Sequence, residues 1–173
     1  MAWYQTVSNS SVLEQGDFIP DCPVIIPPAN LSQDQSYEIE VELKKAIILT
    51  QSCDLERPET RIVLVCEYMT LAEYYSQLPE GKNNAGGRKS ALTQLQKGFQ
   101  YAHHILNKCE EVGLIECIVI SFNDVYGVDV NYLRQKALPL QNRIRLLSPY
   151  KEHLSQSFAR YFMRVGLPQA TDC

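Results

Sequence analysis

Between Phe18 and Ile26 the apolar positions are interrupted by Pro20, Asp21 and Pro23. Proline cannot donate to a ladder, so this pattern predicts a first strand held at a sheet edge or carrying a bulge. Pro27-Pro28-Ala29-Asn30 then breaks the chain. Tyr37-Glu38-Ile39-Glu40-Val41-Glu42-Leu43 alternates with period two, which predicts a half-buried strand with one wet face. After Lys44-Lys45 the continuous runs Ala46–Leu49 and Ile62–Cys66 predict two strands buried on both faces, the centre of a sheet. Cys117–Phe122 reads as a further strand, and Arg143–Leu147 as a last strand or the lead-in to a final helix.

The helical signals are of a different period. Thr70, with Glu73 three residues on, forms a capping-box pattern for a short helix over Leu71–Leu78. Gly81–Lys89 is rich in Gly and Asn and reads as an exposed loop, after which Ser90 caps a helix running to about Phe99. Residues 101–109 fit a helix or a strand, and we take the helix. Val130–Ala137 reads as a short helix. Ser148 as N-cap, Pro149 at the first helical position and Gly166 followed by Pro168 delimit a last helix. Its residues Tyr150, Leu154, Phe158, Phe162 and Val165 form one apolar stripe that must dock on the sheet or on a partner. The expected fold class is α+β, a single domain over residues 1–173. Its expected form is a small curved antiparallel sheet or SH3-like barrel with three or four helices, the C-terminal one amphipathic.

Composition adds limits. The chain has 173 residues, 45% of them hydrophobic and 21% charged, and no stretch approaches the roughly 20 apolar residues of a membrane span. Met1-Ala2-Trp3-Tyr4 lacks the charged start and apolar core of a secretory signal, so the expected location is cytoplasmic. There Cys22, Cys53, Cys66, Cys109, Cys117 and Cys173 would stay reduced, most of them as small core residues. The net charge of −4 conceals an asymmetry: residues 1–60 hold ten acidic and three basic side chains, whereas residues 134–164 hold seven basic and one acidic. The basic segment either complements the acidic half or faces phosphates or an acidic partner. Arg143, Arg145, Arg160 and Arg164 are the candidates for the second role.

The most reactive cluster is Thr50-Gln51-Ser52-Cys53-Asp54, at the end of a buried strand, with Gln51, Cys53 and Asp54 as candidate catalytic residues. A thiol nucleophile needs a base, and His103, His104 and His153 are the three histidines available. The structural alternative has Ser52 and Asp54 capping a turn while Cys53 packs in the core. No Cys-x-x-Cys or His-x-x-x-His spacing is present, and adjacent His103 and His104 point to opposite faces, so no metal site is expected and no cofactor is implied. Gly81–Lys89 lacks the order of a phosphate loop. Ten tyrosines together with arginine are compatible with a binding interface or with core filling.

Gly16-Asp17 before a strand, Lys45-Ala46-Ile47-Ile48-Leu49 and Val63-Leu64-Val65 resemble the PemK/MazF-type toxin barrels over about residues 15–70. That resemblance implies an SH3-like barrel and RNA cleavage at a basic, polar site. The chain departs from it at Lys44 and Lys45, and the family's arginine after the first strand's loop is not evident. Thr50-Gln51-Ser52-Cys53-Asp54-Leu55 and the ending Ser148-Pro149-Tyr150 with Phe158–Pro168 are similar to uncharacterised bacterial proteins. The leading expectation is a non-catalytic binding or assembly subunit of a bacterial multiprotein system, of the defence or toxin–antitoxin kind. Its partner would be another protein or a second copy of itself, with no membrane. The alternatives are a nucleic-acid binder or PemK/MazF-like ribonuclease using the basic segment, and a Cys53-dependent enzyme.

Overall fold

The computed structural model describes residues 2–8, 12–27, 30, 36 and 38–163. Its strands are β1 (Tyr4–Val7), β2 (Phe18–Ile26), β3 (Glu40–Ile48), β4 (Ile62–Thr70), β5 (His103–Leu106), β6 (Ile118–Asp129) and β7 (Arg143–Leu146). The helices are α1 (Ser52–Leu55), α2 (Leu71–Ser76), α3 (Ala85–Gln96), α4 (Val130–Ala137) and α5 (Tyr150–Phe162), with two short 3-10 turns at Glu80–Lys82 and Glu110–Val112. The α+β class stands, with five α-helices among the described residues, Ser52–Leu55 being a single turn. The strands make a five-stranded antiparallel sheet in the order β2-β3-β4-β6-β5 and a two-stranded β1-β7 ribbon. The sheet is not closed into a barrel, which corrects the SH3-like alternative.

The prolines act as expected. β2 is an edge strand, and its register with β3 shifts between Ile19 and Cys22, where Asp21 takes a positive φ of 52°. The two segments read on either side of Lys44-Lys45 are one strand, β3, in which the ammonium groups of both lysines reach carboxylates. Lys44 bridges Glu42 and Glu67, and Lys45 bridges Glu73.

Other boundaries moved for local reasons. Residues 103–106 form a strand because their edge finds β6, which overrides the helical spacing. Gly81–Lys89 is not an open loop: Asn84 caps α3 by accepting from the Gly87 backbone N–H, and the helix starts at Ala85. A side chain at Gly87 would put its Cβ 2.0 Å from the Lys82 carbonyl oxygen, so this turn requires glycine. The Thr70–Glu73 capping box forms with both bonds, and α4 spans the expected residues. Pro149, not Ser148, is the N-cap of α5, and the Ser148 hydroxyl donates to the Glu152 carboxylate. Val165, Gly166, Pro168, Arg164 and Cys173 lie outside the described residues, as do Tyr37, Pro28 and Ala29.

Three apolar clusters fill the space around the sheet. One lies beneath α1 and α4, built on Ile19, Ile48, Val63, Val65, Val128 and Leu133. A second lies beneath α5, built on Phe18, Ile47, Ile120, Phe122, Leu146 and Leu154. Met69, Tyr74, Leu95 and Val119 form the third under α2 and α3. The stripe of α5 docks through Tyr150, Leu154 and Phe158, joined by Tyr161 from outside the predicted stripe, whereas Phe162 is exposed.

Gly16 and Asp17 join the ribbon to the sheet. The Gly16 N–H donates to the Ile48 carbonyl, the Ile48 N–H to that of Asp17, and the Leu146 N–H to that of Gly16. Gly16 has φ +84°, and a Cβ there would stand 2.9 Å from the Leu146 Cβ, so both backbone angle and approach favour glycine. Asp17 is fully buried and accepts from Arg143 Nε at 2.9 Å, Arg145 Nε at 2.5 Å and the Glu14 backbone N–H at 3.0 Å. Arg145 also binds Glu14 and donates to the Val12 carbonyl.

Candidate functional site

The cluster at Thr50–Asp54 runs from the end of β3 into the single turn of α1 and is held by hydroxyl groups. The Thr50 hydroxyl accepts from the Leu64 N–H, Ser52 Oγ accepts from the Gln15 N–H, and the Asp54 carbonyl accepts from the Thr60 hydroxyl. Buried Gln15 completes it by donating to the Leu49 carbonyl and to Ser155 of α5. The Asp54 carboxylate faces Arg57. Cys53 is exposed, which corrects the expectation that it packs in the core, and its thiol donates to Gln51 Oε1 at 3.7 Å. Cys22 and Cys66 are buried, whereas Cys109 and Cys117 are half-buried.

No histidine hydrogen-bonds Cys53 among the described residues. His103 meets the Tyr74 ring edge to face, His104 Nδ1 is 3.0 Å from Ser157 Oγ on α5, and His153 sits against the Tyr150 ring. The first two point to opposite faces of β5, as their adjacency requires. Burial, with His153 nearby, pushes His104 down to about 4. It is therefore neutral at pH 7 and poorly matched to general-base work there. The unfolded chain takes up a proton below about pH 6.5 that the folded chain refuses. The stabilising contribution is thus fully present above pH 6.5 and is lost as pH falls toward 4, by roughly 2 to 3 kcal/mol. His104→Gln is expected to flatten that part of the stability–pH curve, measured by urea titrations from pH 7 to pH 4.

The arginines divide by environment. Arg143 and Arg145 are buried against Asp17, which corrects their assignment to a binding surface: in this fold they complement the acidic half of the chain. Lys151 adds to this by approaching Glu14. Arg160 is on the exposed side of α5, and Arg164 is outside the described residues.

The structure also brings together a site that the sequence does not single out. Val41 and Leu43 of β3, with the adjacent Ile39, were expected to pack inward, yet they are 53%, 62% and 59% exposed. Beside them on β2, Ile25 is 63% exposed, paired in register with Val41. The β2–β3 pair therefore carries its apolar side uncovered by the described chain. At its base is an open groove of about 490 Å³, bounded by Pro23, Val24, Ile25 and Val41 on one side and by Val125–Asp129 and Tyr132 on the other. Tyr126, in its wall, is near Glu42, Lys44, Glu67 and Asp124, and burial followed by the carboxylates Asp124 and Glu67 raises its hydroxyl above the usual range. Lys136 lies over the Tyr132 ring. Around the groove four carboxylates, with Asp129 the fourth, stand against two ammonium groups.

Among the described residues no group of three His, Cys, Asp or Glu is placed to hold a metal ion. No helix there is long and apolar enough to cross a membrane. No protein-family model matches the chain, and no curated protein matches it.

Proposed function

We propose that the chain is a non-catalytic binding or assembly subunit, and that it holds a protein partner at the groove between β2 and β6. The observation that carries this reading is the uncovered apolar side of the β2–β3 pair, continuous with a lined groove. Contiguous exposed apolar surface rimmed by charge is characteristic of interaction sites. The reactive groups support the same reading by their separation: Cys53 is bonded to Gln51, and the histidines are engaged elsewhere. The bacterial setting, of the defence or toxin–antitoxin kind, rests on the sequence resemblances alone.

Ile25 and Val41 are exposed, so Ile25→Glu with Val41→Glu should leave the fold intact while placing charge in the interface. Affinity capture from the native host, with wild-type and double-variant chains as paired baits, tests the proposal. The expected outcome is a stoichiometric protein on the wild-type bait, reduced at least tenfold on the variant. Equal recovery on both baits, recovery of nucleic acid alone, or a monomer that captures nothing would overturn it.

A further inference from the structure

The lining of the groove shows which part of β6 it exposes. Successive side chains of a strand point to opposite faces, yet five consecutive residues, Val125–Asp129, line the groove, as they do where a strand presents its edge. Pro23, Val24 and Ile25 do the same from β2. Across these residues β6 pairs with β4 on one side; β5 pairs only with Ile118–Ser121. Among the described residues no strand pairs with the other edge of Val125–Asp129. In an antiparallel ladder every second residue there directs its N–H and C=O outward, toward the groove.

Resting on the binding role proposed above, we infer that the groove is a strand acceptor: an extended segment of a partner protein pairs with the open edge of β6. Its side chains pack on Ile25, Val41 and Tyr126. Affinity in this mode comes from main-chain hydrogen bonds, with specificity from pockets for alternate side chains. β6 supplies the pairing edge because Pro23 on the facing edge of β2 has no N–H to give. β2 is the apolar wall.

Charge sets the partner's chemistry. Glu42, Glu67, Asp124 and Asp129 outnumber Lys44 and Lys136 around the groove, so the segment is apolar at alternate positions and carries Lys or Arg beside them. A second copy of this chain is a poor occupant, because its β6 edge faces its own β2 wall across the same groove and two such edges cannot meet freely.

The probe is a displayed library of random nine-residue peptides, selected on the full chain. Enriched peptides are expected to alternate apolar residues with period two and to carry basic residues. Binding should slow amide exchange at Val125–Asp129, and N-methylation of alternate peptide backbone nitrogens should weaken it at least tenfold. Enrichment of helical spacing, no enrichment, unchanged affinity on N-methylation, or protection that leaves Val125–Asp129 of β6 unchanged would overturn the inference. So would protection at β6 that rises with the concentration of the chain alone. A natural partner captured through Ile25 and Val41 without protection of β6 would sink the strand mode while leaving the binding role standing.

Discussion

Asp17→Asn is expected to destabilise the chain by about 3 to 5 kcal/mol, the cost of removing one member of a buried charged network. Asparagine keeps the shape but withdraws the charge that holds Arg143 and Arg145, whose side chains are 0% and 6% exposed. Two guanidinium groups would then share a site with Glu14 alone nearby, and desolvated charge is costly unless compensated. The same carboxylate ties the β1-β7 ribbon to the sheet, so the loss should appear as a lower urea midpoint. A variant with unchanged midpoint would show that these ion pairs are replaceable by water. Replacing Arg143, Arg145 and Asp17 together by well-packed apolar residues should cost less than Asp17→Asn, because no fully buried charge is left stranded and the part-exposed Glu14 keeps Lys151.

Leu154→Ala is the second large effect, about 2 to 5 kcal/mol from lost transfer energy and the cavity left behind. Leu154 is fully buried on α5 in the cluster with Phe122 and Leu146. Trp3, the one tryptophan, stacks on Tyr150 of the same helix with ring centroids 3.7 Å apart. Its fluorescence therefore reports the docking of α5. In the variant, the fluorescence midpoint in urea should fall substantially, with helix content in dilute buffer largely retained. A loss below about 1 kcal/mol would mean that the other contacts of α5, at Ser155, Ser157 and Tyr161, hold the helix without its apolar stripe.

Elements whose local signals and tertiary partners agree are legible from the sequence. Thr70 with Glu73, Val130–Ala137 and the bulged, proline-bearing β2 are of this kind. His103–Leu106 went the other way because a strand edge supplied by β6 outweighs a helical spacing of a few residues, and sequence order does not reveal that edge. Arg143 and Arg145 were visible as charge but not as buried charge: their partner Asp17 is more than a hundred residues away in the chain. The groove was hidden for a related reason. Alternation in residues 37–43 identifies two faces of a strand, yet whether the apolar face is covered depends on which other elements reach it. In β3 they reach only Ala46–Ile48. Cys53 shows the opposite error, since a small apolar residue after a buried strand looks internal until the turn of Ser52 and Asp54 rotates it outward.

The binding face is tested most directly by amide hydrogen exchange of the chain alone and in complex with the partner captured from its host. Slowed exchange concentrated at Cys22–Ile26, at Val41–Leu43 and at Val125–Asp129 is the expected result. Slowing confined to the Cys53 turn or to the exposed side of α5 around Arg160, with the groove unchanged, would contradict it.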